Sequence, residues 1–548
     1  MQTQKVAILQ LTRIGDLIQT YQATRQFKAE NPNTHVTLIA RRKFASGIMF
    51  LLETLFDDII LFDTQEFFKE KNFKSAKGNV SDFISKITAT EYDFLINLSF
   101  NKSSSYLSTL INAKDKFGLH RNDAAEIAVN DRWSQFVYSN VMNSTNTPFS
   151  LVDIYRYIFG CNITHVLSHD PEIDKRSKNI VIHPFASQKK KRWGANKWTE
   201  LLFKLASDFS DYQFYIVGSP QDSHDASRLL QSPALQKYTN RFHDLTKGNL
   251  ISDCYQLLMD SRLFIGHDSM VSHLASETLT PTLILSLGTV RPHETSAYSE
   301  YAVNIAPKNK CFPCTVQESC ELLPCHNSIN HQLVKTIAKE MLYGNKINQD
   351  FLKAKLTPFH LNSVKIYTSS FNENTGLVLS EITENYKSLS EIFKEYYKVI
   401  WQYYLRDTDV NVELPHMSED TASSLYNYSA GVQYLYELYN FGVKYSNKII
   451  HEIDQKDTNF KEVQDCINKL GEIDQLCSIT KKNYPHLTPL VDYFYVNKAN
   501  ALGNNIEDIS KHNLLNYYDA SNLVAVLSDF IEKSVKPYVR QQEVNKDV

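Results

Sequence analysis

Apolar strand-like runs alternate with helically spaced segments twice along this chain, and that alternation constrains the fold more than any other feature. The run Val6–Leu11 is apolar apart from Gln10 and stops at the polar turn Thr12–Asp16. Apolar residues then return at helical intervals until Asn31–Pro32. A short run of this kind suits a strand buried on both faces. HVTLIAR, DDIILFD and YDFLINLS repeat the strand signal, which predicts βαβ units and a parallel sheet. A polar connector, Ser168–Asn179, follows. The alternation restarts with NIVIHPF, KWTELLFKLASDF, YQFYIVGSP, SDCYQLLMDS, RLFIGHD, SHLASETL and PTLILSLGT, predicting a second open α/β sheet. Beyond residue 345 the period changes: Ile382, Tyr386, Leu389, Phe393, Tyr397, Ile400 and Tyr404 fall at steps of three and four, one apolar helical face. The expected architecture is α/β, with two Rossmann-like domains over residues 1–170 and 171–345 and a mainly helical extension over 346–548.

The 548 residues carry a net charge of -3, with 43% hydrophobic and 22% charged side chains, the profile of a globular protein. That balance gives no electrostatic footprint for nucleic acid, and Lys189–Arg192 is the longest basic stretch. No apolar run approaches the roughly 20 residues that span a bilayer, and the first residues lack the pattern of a secretory signal. The expected location is the cytoplasm, with peripheral contact at the inner membrane left open because an acceptor could be a lipid.

Ligands of open α/β sheets bind beyond the carboxyl ends of the strands. Asp16, in the turn TRIGD after the first strand, therefore faces a cleft between the two sheets, or else it simply caps its helix. In the second half, IVIHPFASQKKKRW places Ser187 and Lys191 in a strand-to-helix loop, and LFIGHDSMVSH places Asp268 and Ser269 at a helix start with His273 one turn in. Hydroxyls and cations at a helix N-terminus hold phosphate. The plainer alternatives are a solvated lysine run, a capping Asp268 and a core histidine at position 273.

Four ordered motifs resemble bacterial heptosyltransferases, glycosyltransferase family nine: Arg13-Ile-Gly-Asp16, Tyr92–Leu98, HPFASQKKKRW and GHDSMVSHLASETLTPT, together spanning roughly residues 5–345. The resemblance implies a GT-B fold whose first domain holds the sugar acceptor and whose second holds a nucleotide-sugar donor similar to ADP-heptose. It implies Asp16 as the general base, Arg13 and Gly15 on the acceptor side, and Ser187, Lys191, Asp268, Ser269, His273, Gly288 and Thr289 on the donor. It implies inversion at the anomeric carbon and no catalytic divalent cation. Met270 stands where the family has glycine, and LGTVRPHET where it has FGPTDP, so the donor sugar is left open. The acceptor is a glycan, lipid or protein, and the extension leaves room for a homo-oligomer. The competing reading is a non-catalytic binding or assembly protein that keeps the fold and works through its helical extension.

Four of the 8 cysteines cluster as Cys311, Cys314, Cys320 and Cys325. Four thiolates can close a tetrahedral site around zinc or iron. Reduced, packed cysteines and a disulfide are the alternatives. Family-nine members carry a similar segment, and a subgroup resembling it binds iron there and modifies proteins. The expected role is structural.

Overall fold

β1 (Gln4–Gln10) is buried from Val6 onward, and α1 (Ile14–Glu30) follows it. β2 (Thr34–Arg41), β3 (Asp58–Phe62), α2 (Phe73–Thr88), β4 (Tyr92–Asn97), α3 (Lys102–Leu110) and β5 (Ala113–Arg121) follow, and the five strands lie side by side in the order β3-β2-β1-β4-β5. All its pairings here are parallel. Parallel neighbours need crossovers, and the helices supply them. α4 (Leu151–Ile158) packs on α1.

The second sheet begins with β6 (Ser177–His183), α5 (Ala195–Asp208), β7 (Gln213–Ile216), β8 (Phe242–Asp244), α6 (Ile251–Asp260), β9 (Ser261–His267), α7 (Met270–Glu277) and β10 (Thr282–Leu285). β11 (Ala302–Pro307), α8 (His331–Leu342) and a hairpin of β12 (Val364–Asn372) and β13 (Gly376–Glu381) follow. The order is β13-β12-β11-β10-β9-β6-β7-β8, parallel except at the hairpin, which joins β11 antiparallel. Ile182, Ile265, Leu283, Ile305 and Ile366 lie in one core against Trp198, Leu202 and Ile337 of the covering helices.

The computed structural model describes residues 3–63, 73–122, 124–143, 147–162, 173–315, 320–408, 413–455, 457–501, 503 and 505–544. The connector's residues 168–172, and with them the expected boundary at 170/171, lie outside the described residues. The chain divides into two compact units, residues 1–121 with 149–384, and residues 122–148 with 385–548.

The two α/β sheets and the helical unit have the expected architecture, but the start at residue 346 is corrected. The hairpin pairs with β11, so residues 364–381 belong to the second sheet. Ile382 packs on that sheet's core, and the helix begins only after Ser388. Ile382 and Tyr386 are therefore not on the helical face that their spacing suggests.

Within the first unit, a polar seam joins the two sheets' helices. Gln22 Nε2 donates to Ser276 Oγ at 2.9 Å, Arg25 pairs with Glu277 at 2.5 Å, and Gln26 Nε2 donates to the Tyr298 hydroxyl at 3.2 Å. Beside it, the fully buried Asp153 of α4 accepts from Arg156 Nε at 2.9 Å, the Tyr298 hydroxyl at 2.8 Å and the Leu377 amide at 2.9 Å.

The second unit contains α9 (Leu389–Arg406), α10 (Glu419–Ile453), α11 (Phe460–Asn483), α12 (Thr488–Ala499) and α13 (Ile506–Val544). Its core is aromatic: Trp401 meets Phe136 edge-on at 5.4 Å and Tyr493 at 5.0 Å. α10 approaches α13 closely at Gly442, where a Cβ would fall 2.2 Å from the Tyr517 ring. Among the described residues no helix is long and apolar enough to cross a membrane.

Candidate functional site

The turn after β1 is held by side chains rather than by a sheet ladder. The Leu11 amide donates to Ser99 Oγ at 2.7 Å, and Thr12 Oγ1 donates to Gln10 Oε1 at 2.5 Å. The chain then enters α1, and the Arg13 amide donates to Asp16 Oδ2 at 3.0 Å. Asp16 thus does cap its helix, satisfying one of the orphan donors there. Among the described residues Oδ1 takes no hydrogen bond, so capping leaves one carboxylate oxygen for other work. Arg13 is exposed, and Gly15 faces the second half: a Cβ there would lie 3.3 Å from the His273 ring.

On the facing side, β9 ends at His267, a core residue. Its Nδ1–H donates to the Leu285 carbonyl at 3.2 Å, and its Nε2 accepts from the Trp193 amide at 3.0 Å. Burial pushes this imidazole down to about 3, so it stays neutral. Asp268 follows, accepting from Thr295 Oγ1 at 2.6 Å. The Ser269 amide donates to Ser272 Oγ at 3.2 Å at the start of α7, while among the described residues the buried Ser269 Oγ has no partner. His273 Nε2 lies 3.8 Å from Asp268 Oδ1, and among the described residues its buried Nδ1 has no partner either. Burial lowers the His273 pKa against the pull of Asp268 and Asp16, so a neutral ring faces the carboxylates.

The basic run forms a tight turn in which Lys190, Lys191 and Arg192 have different surroundings. Lys190 Nζ donates to the Thr315 carbonyl at 2.9 Å. Arg192 pairs with Asp222 at 3.3 Å and Asp225 at 3.2 Å. Lys191 makes no ion pair among the described residues, yet its charge bears on both His273 and Glu294. Ser187 is exposed and Thr289 half-buried on neighbouring loops. Gly288, at φ +64°, lies so close that a Cβ would come within 2.6 Å of the Lys190 carbonyl. That backbone conformation and that gap both require glycine.

Glu294 is a candidate that the sequence motifs do not mark. It sits in the helical turn Pro292–Thr295 after β10, inside the segment that departs from the family pattern. Burial raises its carboxyl to about 7, with Asp268 and Asp16 pushing the same way and Arg291 and Lys191 opposing. Asp16, Lys191, Asp268 and Arg291 therefore share one electrostatic neighbourhood around Glu294.

The cysteine segment backs the lysine turn. The Cys314 amide donates to the Gly288 carbonyl at 2.8 Å, and His326 Nε2–H donates to the Lys190 carbonyl at 3.0 Å. Cys314 and Cys325 are buried, Cys320 is partly so, Cys311 is exposed, and all four thiols are free of disulfides. Burial pushes the Cys325 thiol up, and Cys314, Cys311 and Cys320 add to that. The four thiols are thus neighbours. Among the described residues, however, no three His, Cys, Asp or Glu side chains converge closely enough to hold a metal ion.

Residues 80–324 match the family model described as glycosyltransferase family 9 (heptosyltransferase). No curated protein sequence matches the chain. Among solved structures it is similar to the E. coli heptosyltransferase WaaC with ADP, at 15% identity and TM-score 0.45, covering 62% of this chain and 99% of that one. It is similar to the family 9 glycosyl transferase from Veillonella parvula at 16% identity and TM-score 0.46, covering 63% and 99%. The iron-containing dodecameric glycosyltransferase TibC of enterotoxigenic E. coli matches at 12% identity and TM-score 0.37, covering 63% and 77%.

Proposed function

We propose that this chain, which carries a glycosyltransferase family 9 domain, moves a heptose-like sugar from a nucleoside-diphosphate donor to an acceptor hydroxyl with inversion. The observation that supports the proposal is the approach of the Asp16 turn to the donor loop: a Cβ on Gly15 would lie 3.3 Å from the His273 ring, and Asp16 and Lys191 both act on His273 and Glu294. Among the described residues Asp16 Oδ1 takes no hydrogen bond, Lys191 makes no ion pair, and Ser269 Oγ and His273 Nδ1 are buried without partners.

The chemistry follows from where charge grows. The acceptor oxygen attacks the anomeric carbon, Asp16 takes the hydroxyl proton, and the bond to the donor phosphate breaks. Negative charge then builds on the departing diphosphate. Lys191, the amide end of α7 and the Ser269 hydroxyl meet it, with Ser187 and Thr289 on the flanking loops. Gly288 keeps the lysine turn close, and Asp268 and His273 shape the floor. A base must lie within hydrogen-bond reach of its proton, and the Arg13 amide on Oδ2 orients Asp16 with Oδ1 available. No step runs through a metal, and an iron or zinc ion at the four cysteines is proposed only as a brace behind Lys190. The acceptor, whether glycan, lipid or protein, is assigned to the first domain beside Arg13 and Gly15, and any homo-oligomer to the helical unit. A cytoplasmic setting belongs to the same proposal.

Asp16→Asn should lower turnover about 100- to 10,000-fold, the range of general acid–base catalysis, while ADP and nucleotide-sugar affinity stay unchanged. Wild-type turnover in that variant would remove Asp16 from the mechanism. An NMR spectrum showing retained anomeric configuration would remove inversion.

A further inference from the structure

We propose that Glu294 reads the sugar of the donor, its carboxyl accepting hydrogen bonds from a pair of neighbouring sugar hydroxyls. This rests on the reading of the site as a nucleotide-sugar pocket.

Three observations converge on it. Glu294 is only 9% exposed, and its Oε2 is buried with no hydrogen-bond partner among the described residues. Nearly all buried polar atoms are paired in a folded protein, so an orphan carboxylate oxygen asks for a ligand donor. The backbone turn that carries it is also fixed in place. The Glu294 and Thr295 amides donate to the Arg291 carbonyl at 3.0 and 3.1 Å, and Thr295 Oγ1 straps the turn to Asp268 at 2.6 Å. Glu294 thus moves with the donor loop, not with the acceptor side.

Charge then selects the ligand class. Arg291 and Lys191 place positive charge beside Glu294, Asp268 and Asp16 negative charge, and burial is the largest influence that raises its proton affinity. With the nearby charges close to balance there is no surplus of cations at this carboxyl to hold a phosphate, and the diphosphate belongs with Lys191 and Ser269. What suits the carboxyl is a neutral group rich in O–H donors, which is the sugar ring. A carboxyl with two oxygens can take two adjacent hydroxyls at once, and pairing of that kind distinguishes epimers, because losing one partner strands the other.

Glu294→Gln keeps the shape and Glu294→Ala removes the group. Both are compared with wild type by calorimetry and steady-state kinetics, using ADP, ADP-heptose and ADP-glucose as probes. The expected result is ADP affinity within about twofold of wild type in both variants. ADP-heptose affinity or kcat/KM should fall tenfold or more, and the preference between the two sugars should collapse. Equal losses for ADP and the nucleotide sugars, or no loss for either sugar, would overturn the assignment of Glu294 alone. A wild-type protein that binds ADP but neither nucleotide sugar nor any other sugar nucleotide in a panel would overturn both this inference and the proposed function.

Discussion

Replacing Asp153 by asparagine should destabilise the first unit far more than its size suggests. The substitution keeps the volume and removes one charge. Arg156, fully buried, then lacks its counter-ion, while its Nε still needs an acceptor. Removing one partner of a buried ion pair costs about 3–5 kcal/mol. The Leu377 amide, 2.9 Å from Oδ2, would face an NH2 group instead of an oxygen, adding about 1 kcal/mol or more. A total near 5 kcal/mol is a large part of the 5–15 kcal/mol that holds a typical domain. Urea unfolding can be followed by the Trp193–Trp198 pair, whose rings lie 5.2 Å apart in the first unit, after Trp133 and Trp401 are changed to phenylalanine. The double variant Asp153→Asn, Arg156→Met removes the stranded cation and should recover about 2 kcal/mol. An Asp153→Asn cost below about 1 kcal/mol, or no recovery in the double variant, would show that Arg156 finds another counter-charge and would refute the reasoning.

Glu294 offers a pH test. Folded Glu294 keeps its proton to about pH 7, whereas an ordinary glutamate releases it near 4.5, so the folded state binds more protons between those values and stability falls as pH rises through them. Glu294→Gln should therefore match wild type near pH 4.5 and exceed it by about 3 kcal/mol at pH 8, read from denaturant midpoints; a constant difference across that range would contradict it. Gly288→Ala should weaken ADP binding at least tenfold by displacing the lysine turn, since its Cβ would sit 2.6 Å from the Lys190 carbonyl; unchanged calorimetric affinity would count against that placement. The proposed metal brace requires the four thiols to close further than they do here; elemental analysis of anaerobically purified protein should then show about one iron or zinc per chain, lost on Cys314→Ser, and a ratio near zero would leave the cysteines as packed thiols.

Parallel sheets advertise themselves, because strands covered on both faces must be apolar throughout, and β1, β9 and β10 were legible for that reason. The hairpin was not. VKIYTSSFN mixes polar and apolar residues as an edge pair does, and only its pairing with β11 makes it part of the sheet. Ile382 and Tyr386 match the helical step by coincidence, since a strand end and a polar loop separate them from Ser388. Residues 122–148 join the helical unit through Phe136, which packs edge-on against Trp401 far along the chain, a pairing no local pattern reveals. Asp16, Lys191 and Ser269 were legible as candidates because strand-to-helix turns expose their chemistry. Glu294 was not, because a single carboxylate among polar neighbours reads as solvated until the fold buries it. The glutamine row on α1 was likewise hidden, being polar on a face that is buried.

Asp153 accepts its last hydrogen bond from a residue 224 positions downstream. During synthesis the N-terminal half leaves the ribosome long before Leu377 exists, so its sheet can form while α4 still lacks the tyrosine and amide that complete the carboxylate's shell. Until the hairpin emerges the Asp153 carboxylate lacks its amide donor, and a chain ended at residue 350 would leave that buried acceptor short of one hydrogen bond.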